Sequence, residues 1–191
     1  ESIRRDDDRL DIQDAGTSFI VKNDDDEGGL LEAGPVYGMW FLEWPDPEDV
    51  PPSRVDAIRD FLDTWQAVVS ASSQADPDPA MFDGIDMDNA IDWILVQEFS
   101  KNNDAYFLSV WAWKDATGPM FLIPWDVDLS FGYPYYDCGW EGWIVGRTEF
   151  AWKLGQLPVF QERIAERWAD LRGDVLATDT VLDRMTTYRD V

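Results

Sequence analysis

The chain contains no histidine and a single cysteine, Cys138. Without His there is no imidazole metal ligand and no Ser–His or Cys–His nucleophilic pair. One Cys forms no internal disulfide, and it supplies no thiolate metal site. Any chemistry must therefore run on carboxylates, hydroxyls, amides, Lys and Arg. Lysine is scarce too: Lys22, Lys101, Lys114 and Lys153 stand beside eleven Arg. No apolar run reaches the ~18 residues that a membrane span needs, and no secretory leader is visible. The first residue is Glu1 rather than Met, so the expectation is a piece of something longer, with the question of an upstream leader and of the compartment left open.

Negative charge is what the sequence has in excess. The 39 acidic and 15 basic residues leave a net charge of −24. At ordinary ionic strength such a surface repels itself and costs stability. At molar salt the Debye length falls to ~3 Å and most of that cost is screened. The reading favoured is a protein of a high-salt organism, the plainer alternative being a merely soluble acidic protein. The same charge argues against a nucleic-acid partner, which needs a basic footprint. A hydrophobic content of 45% with 11 Trp over 191 residues excludes disorder by composition and suffices for one domain with a real core.

Short apolar pieces at 18–21, 29–32 and 37–42, separated by turn-prone clusters, predict strands and loops within residues 1–50. A rigid connection, Trp44-Pro45-Asp46-Pro47 and Pro51-Pro52, follows. Ser53 with Asp56 makes a capping-box pattern for a helix carrying Val55, Ile58, Leu62, Trp65 and Val69 at helical spacing. After a polar loop over 70–80, Asp86-Met87-Asp88 opens a second helix, with Ile91, Ile94, Leu95 and Phe99 as its buried face. Lys101-Asn102-Asn103-Asp104 ends it. Residues 106–113 and 119–125 read as the strands of a hairpin turning at 114–118. An aromatic, Gly-rich loop spans 133–150. A third helix runs from about Pro158 to about Gly173 with Phe160, Ile164, Trp168 and Leu171 inward. Thr178 caps a last helix carrying Val181, Leu182, Met185 and Tyr188. The expected class is α+β.

Two acidic sites stand out. Asp104 lies between a helix and a strand; Asp126 and Asp128 leave the returning strand. In extended backbone, residues two apart share a face roughly 6–7 Å apart. Paired carboxylates of this kind suit Mg²⁺ or Mn²⁺, which share their coordination with waters and phosphates. The order also matches phosphoryl transfer: an Asp that takes the hydroxyl proton, an oxygen ligand five residues on (here Ser109), then a metal-binding Asp before a Phe-Gly segment. On spacing alone the plainer reading of these acids, as turn or cap groups, stands ahead. Three lesser signals are noted. The Asp triplets at 6–8 and 24–26 lack EF-hand spacing and read as solvated turns. The aromatic stretch 140–143 reads as core or lobe contact, with stacking on a sugar or a partner protein as the alternative. Arg163, Arg167 and Arg172 are expected to pair with acids on an exposed helix face.

The central block is more specific than its spacing. Glu98-Phe99-Ser100-Lys101-Asn102-Asn103-Asp104-Ala105-Tyr106, then Ser109, Lys114-Asp115 and Pro124-Trp125-Asp126-Val127-Asp128-Leu129-Ser130-Phe131-Gly132 resemble the signature of the spore-coat protein H (CotH) kinase family. Flanking pieces agree: Arg9-Leu10-Asp11-Ile12, Gly28-Gly29-Leu30-Leu31-Glu32, Trp44-Pro45-Asp46-Pro47-Glu48-Asp49 and the helix from Phe160 to Leu171. The resemblance implies an atypical protein kinase-like fold whose N-terminal strands are partly missing here. It implies a strand-rich lobe over 1–50 and a mainly helical lobe with an embedded hairpin over 51–191. It further implies ATP and Mg²⁺ or Mn²⁺ as cofactors, and protein Ser/Thr hydroxyls as acceptors. Carried over by position, Asp104 is the catalytic base, Asp126 the principal metal ligand and Asp128 a second one. Ser109 and Glu32 serve the nucleotide side. Two positions depart from the family: Ser109 stands where kinases commonly have Asn, and Glu43 where the family often has Lys. Lys22 and Arg147 are the cations that could substitute. The alternatives are a pseudokinase or a surface or spore-coat binding module, and a carboxylate glycosidase using Asp104 and Asp126.

Overall fold

The computed structural model describes residues 16–23, 29–31, 40–72, 80–102, 104–106, 108–132, 141–144 and 149–189. Glu32, Arg147, Cys138, the two Asp triplets and most of the 133–150 loop lie outside the described residues.

Period-two alternation builds the sheet. Five strands, β1 (Phe19–Asn23), β2 (Gly29–Leu31), β3 (Trp40–Trp44), β4 (Val110–Lys114) and β5 (Met120–Pro124), join antiparallel in the order β2-β3-β1-β4-β5. Phe19 and Val21, Trp40 and Leu42, Val110 and Ala112, and Met120 and Leu122 all enter the core. Their registers agree, with Val21 opposite both Leu42 and Ala112, and Ala112 opposite Leu122. The hairpin expected from 106–125 is present, but its first strand starts only at Val110. β4 pairs with β1 along its whole length, from Phe19↔Lys114 to Asn23↔Val110. Strands from both sides of residue 50 thus form one sheet.

The helices are α1 (Pro52–Ala71), α2 (Ala80–Asp83), α3 (Met87–Ser100), α4 (Glu149–Gln156), α5 (Pro158–Gly173) and α6 (Thr178–Arg189). Ile58, Leu62, Trp65 and Val69 of α1, Ile91, Ile94 and Leu95 of α3, and Phe160 and Ile164 of α5 complete the core. Each such side chain removed from water stabilises by about 1.5–3 kcal/mol. The fold is thus mixed α+β. No helix among the described residues is long and apolar enough to cross a membrane.

Three local expectations are corrected. Ser53 does not cap α1: Pro51 occupies the cap without a side-chain bond and Pro52 begins the helix. Proline suits that first position, because its missing N–H would be unpaired there anyway. Phe99 and Trp168 were expected inward but are 41% and 37% exposed, and they meet each other at the surface, ring centroids 6.5 Å apart. Arg163 and Arg167 pair with Asp88 and Asp92 of α3 as expected, whereas Arg172 donates to the Leu176 carbonyl and the Thr178 hydroxyl.

The free edge of β5 is closed by the segment that starts α3. Met120 N–H donates to Gly84 O at 3.0 Å, and Met120 O accepts from Asp86 N at 2.9 Å. The Asn89 side chain then acts as a strand partner: its Nδ2 donates to Leu122 O at 3.1 Å and its Oδ1 accepts from Leu122 N at 2.6 Å. Asp86 caps α3 by accepting from Asn89 N at 2.8 Å. An unpaired edge is thereby covered, and α3 is fixed lengthwise against the strand that delivers Asp126.

Candidate active site

The C-terminal end of α3 organises the site. Lys101 turns left-handed, φ 53°, and the N–H groups of Lys101 and Asn102 close back onto Gln97 O. The chain then makes a turn in which Leu108 N donates to Asp104 O at 3.0 Å. Ser109 is also left-handed, φ 54°, and buried. This geometry swings its hydroxyl toward the half-buried Asp104, donating to Oδ2 over a long 3.4 Å. The five-residue interval read from the sequence therefore places Ser109 beside Asp104 as its hydrogen-bond donor.

Asp126 and Asp128 were expected on extended backbone. Instead Asp126 is left-handed, φ 45°, as is Phe131, φ 53°, so the acids ride on a turn. Both are exposed, and they lie close enough for Asp126 to act on the Asp128 carboxyl. Loss of hydration, with a hydrogen bond to Asp126 and its charge, holds the Asp128 carboxyl above the ordinary 3.8. The turn hangs from α3 at two points. Asn102 Nδ2 donates to Asp126 O at 3.1 Å, and Phe131 N donates to Ser100 O at 2.6 Å. These bonds bring the two signature segments together.

Beneath them lies Glu98, a buried acid the sequence reading passed over. It accepts from the Tyr106 hydroxyl at 2.8 Å and from Ile144 N at 2.9 and 3.1 Å, and it lies 3.7 Å from the Lys101 ammonium. Lys101 also donates to Gly142 O. The signal that could have found Glu98 is its spacing, since it continues the buried stripe of Ile91, Ile94 and Leu95. Asn102, fully buried, stands in the signature block and at the helix end but carries no role of its own in the sequence reading.

The sheet face away from the core carries Lys22, Glu43, Trp111 and Trp125. Lys22 Nζ sits 2.9 Å from Glu43 Oε1 and 5.7 Å from the Trp111 ring centroid, and Trp111 packs on Trp125 at 4.6 Å. The residue that departs from the family pattern, Glu43, is therefore the ion-pair partner of one of the two cations considered as substitutes.

Among the described residues, no three acidic side chains converge into a ready-made metal site. The donor set at the turn is two carboxylates. That fits Mg²⁺, which typically takes one or two carboxylates and completes its shell with waters and substrate phosphates.

The α+β domain presents paired carboxylates at the exit of a hairpin, tied to the end of α3 from which the chain continues to a third, Asp104. A protein-family model described as CotH kinase protein matches residues 22–190, and the chain belongs to that family. Comparison with the curated proteins gives no match.

Proposed function

We propose that the chain is the catalytic part of an atypical, protein kinase-like enzyme that transfers the terminal phosphoryl group of ATP to Ser/Thr hydroxyls of proteins. The observation that carries this reading is the double anchoring of the Asp126–Phe131 turn to the end of α3, which brings the two acidic segments of a phosphotransferase together. Asp126 and Asp128 are the residues that would hold Mg²⁺ or Mn²⁺, whose part is to neutralise phosphate charge. Asp104 accepts the proton of the attacking hydroxyl, and Ser109 orients its carboxylate. Lys22 is the cation offered toward phosphate from the sheet, and Glu32, outside the described residues, is assigned to the nucleotide side. Residues 1–50 and 51–191 belong to one kinase-like domain, in keeping with the single sheet to which both contribute strands, and it works at high ionic strength.

The test is phosphate transfer from ATP to a protein acceptor in molar salt with Mg²⁺ or Mn²⁺. Asp126→Ala should abolish metal-dependent nucleotide binding. Asp104→Ala should keep that binding and lose transfer by on the order of 10²-fold or more, as for a general base. Undiminished transfer by Asp104→Ala would remove it from the mechanism.

A second reading, a pseudokinase or surface binding module, is favoured by the engagement of Lys22 with Glu43, which neutralises a cation that phosphate needs. Absence of any Mg²⁺-dependent thermal shift with ATP in molar salt would establish that reading instead.

A further inference from the structure

Asn102 is a fully buried amide one residue beyond the left-handed cap of α3. Its Nδ2 donates to the backbone carbonyl of Asp126 at 3.1 Å. A carbonyl only accepts, so this bond settles which end of the amide is nitrogen. The other end, Oδ1, is buried with no hydrogen-bond partner among the described residues. Burial alone does not explain the residue, because an apolar side chain would fill the same space without leaving an acceptor unpaired. What the amide contributes is its donor.

The place where that donor acts is unusual. Asp126 holds φ 45°, a left-handed conformation that Asp visits more readily than most side chains with a Cβ but that still costs energy unless its surroundings support it. It is also where the backbone turns so that Asp126 meets Asp128. The far end of the same turn is tied by Phe131 N to Ser100 O at 2.6 Å, with the Phe131 ring edge-on to Phe99 at 6.0 Å. Asn102 is thus the near clasp of a turn whose far clasp is the last residue of α3.

We propose that Asn102 is a positioning residue: by binding the carbonyl of Asp126 it holds that residue left-handed and preorganises the Asp126/Asp128 pair for a divalent cation. This rests on the proposed phosphotransferase reading, and the experiment separates the two. Outer groups that orient a metal's ligands typically change affinity 10–100-fold when removed.

Manganese binding is measured by electron paramagnetic resonance in molar KCl, without nucleotide, on the whole chain. The variants are Asn102→Ala, Asn102→Leu, which matches the shape of Asn without a donor, and Asp126→Ala. The expected result is binding by the unmodified protein, loss in Asp126→Ala, and affinity reduced on the order of 10-fold in both Asn102 variants. In the transfer assay the Asn102 variants should need more Mn²⁺ yet recover near-normal kcat at saturation. A generally damaged fold would instead lower kcat at every Mn²⁺ concentration. Affinity within twofold of the unmodified protein overturns the role of Asn102 alone. No Mn²⁺ binding by the unmodified protein overturns the metal site and Asn102 with it. Should the variants not fold, the unmodified protein still decides: the Asn102 side-chain amide resonance should shift when Mg²⁺ is added, and an unmoved resonance rejects the proposal.

Discussion

Glu98→Ala tests how the site is supported from below. The substitution removes the acceptor of the Tyr106 hydroxyl at 2.8 Å, the acceptor of Ile144 N–H at 2.9 and 3.1 Å, and the carboxylate facing Lys101 at 3.7 Å. Tyr106 is fully buried, so water does not easily replace the lost oxygen. A buried donor left without its acceptor costs about 1–3 kcal/mol, and breaking a buried ion pair costs about 3–5 kcal/mol. These overlap, because one carboxylate serves all three groups. Lys101 keeps the Gly142 carbonyl, which moderates its share. About 4 kcal/mol is the resulting expectation, set against a net stability of roughly 5–15 kcal/mol for a domain. For a chain of this size each kcal/mol moves the melting temperature by about 2–4 °C, so Glu98→Ala should melt roughly 8–16 °C lower. Glu98→Gln keeps one acceptor oxygen and should lose less. The assay is thermal unfolding followed by circular dichroism, run in dilute buffer and again in molar KCl. Salt screens buried pairs poorly, so the deficit should persist in KCl. A deficit that vanishes in KCl, or an Ala variant melting within about 2 °C of the parent, would show that Glu98 is not the buried hub argued for.

Three further outcomes are expected. With a net charge of −24, the melting temperature of the unmodified protein should rise steadily between dilute buffer and molar KCl as self-repulsion is screened; a flat response would remove charge from the account of its stability. The Asp128 carboxyl, held above 3.8 by lost hydration and by Asp126, binds its proton more tightly in the folded state, so its contribution favours folding below 3.8 and is lost as pH rises through the raised folded value. Carboxyl titration by nuclear magnetic resonance should find that raised value and find it lowered in Asp126→Asn; an unchanged titration would disprove the pairing. In Gly84→Ala the added Cβ would lie 2.2 Å from Trp65 Cδ1, and this overpacking should cost about 1–3 kcal/mol by calorimetry; a neutral result would mean that the closure of the β5 edge yields freely.

Much of this scaffold was legible in the chain. The stripe Ile91, Ile94, Leu95 behind an Asp86 cap gave α3, and the paired apolar runs about 114–118 gave the hairpin. The pairing of β4 with β1 was not legible, because a period-two pattern says which face is buried but names no partner. Periodicity puts Phe99 and Trp168 inward, yet α5 buries only Phe160 and Ile164, and α3, although buried over most of its surface, turns Phe99 to solvent. The polar supports escaped for a related reason: an acid or an amide reads as surface until its partners are known, and those of Glu98 lie as far away as Ile144. Asp126-Val127-Asp128 read as extended because Asp visits the left-handed region only occasionally, and nothing local announces that Asn102, just past α3, will bind the Asp126 carbonyl.

The division between exposed acids and buried supports follows from the charge of the molecule. In the proposed reading Asp126 and Asp128 face solvent to meet a cation and phosphates, and at low ionic strength the repulsion they feel from the rest of the acidic surface adds to their own. At molar salt the repulsion they feel from the rest of the acidic surface is screened, and so is any long-range attraction that would shape the turn, since the Debye length falls to ~3 Å. Only groups in direct contact, with no room for ions between them, or groups shielded in the interior, keep their strength. The supports found are of both kinds: Asn102 to Asp126 at 3.1 Å, Phe131 to Ser100 at 2.6 Å, and the Glu98 cluster in the interior. A site built on them tolerates a net charge of −24 because its shape is fixed by hydrogen bonds that salt does not reach, and salt is left to do one thing, which is to screen the repulsion from the rest of the acidic surface.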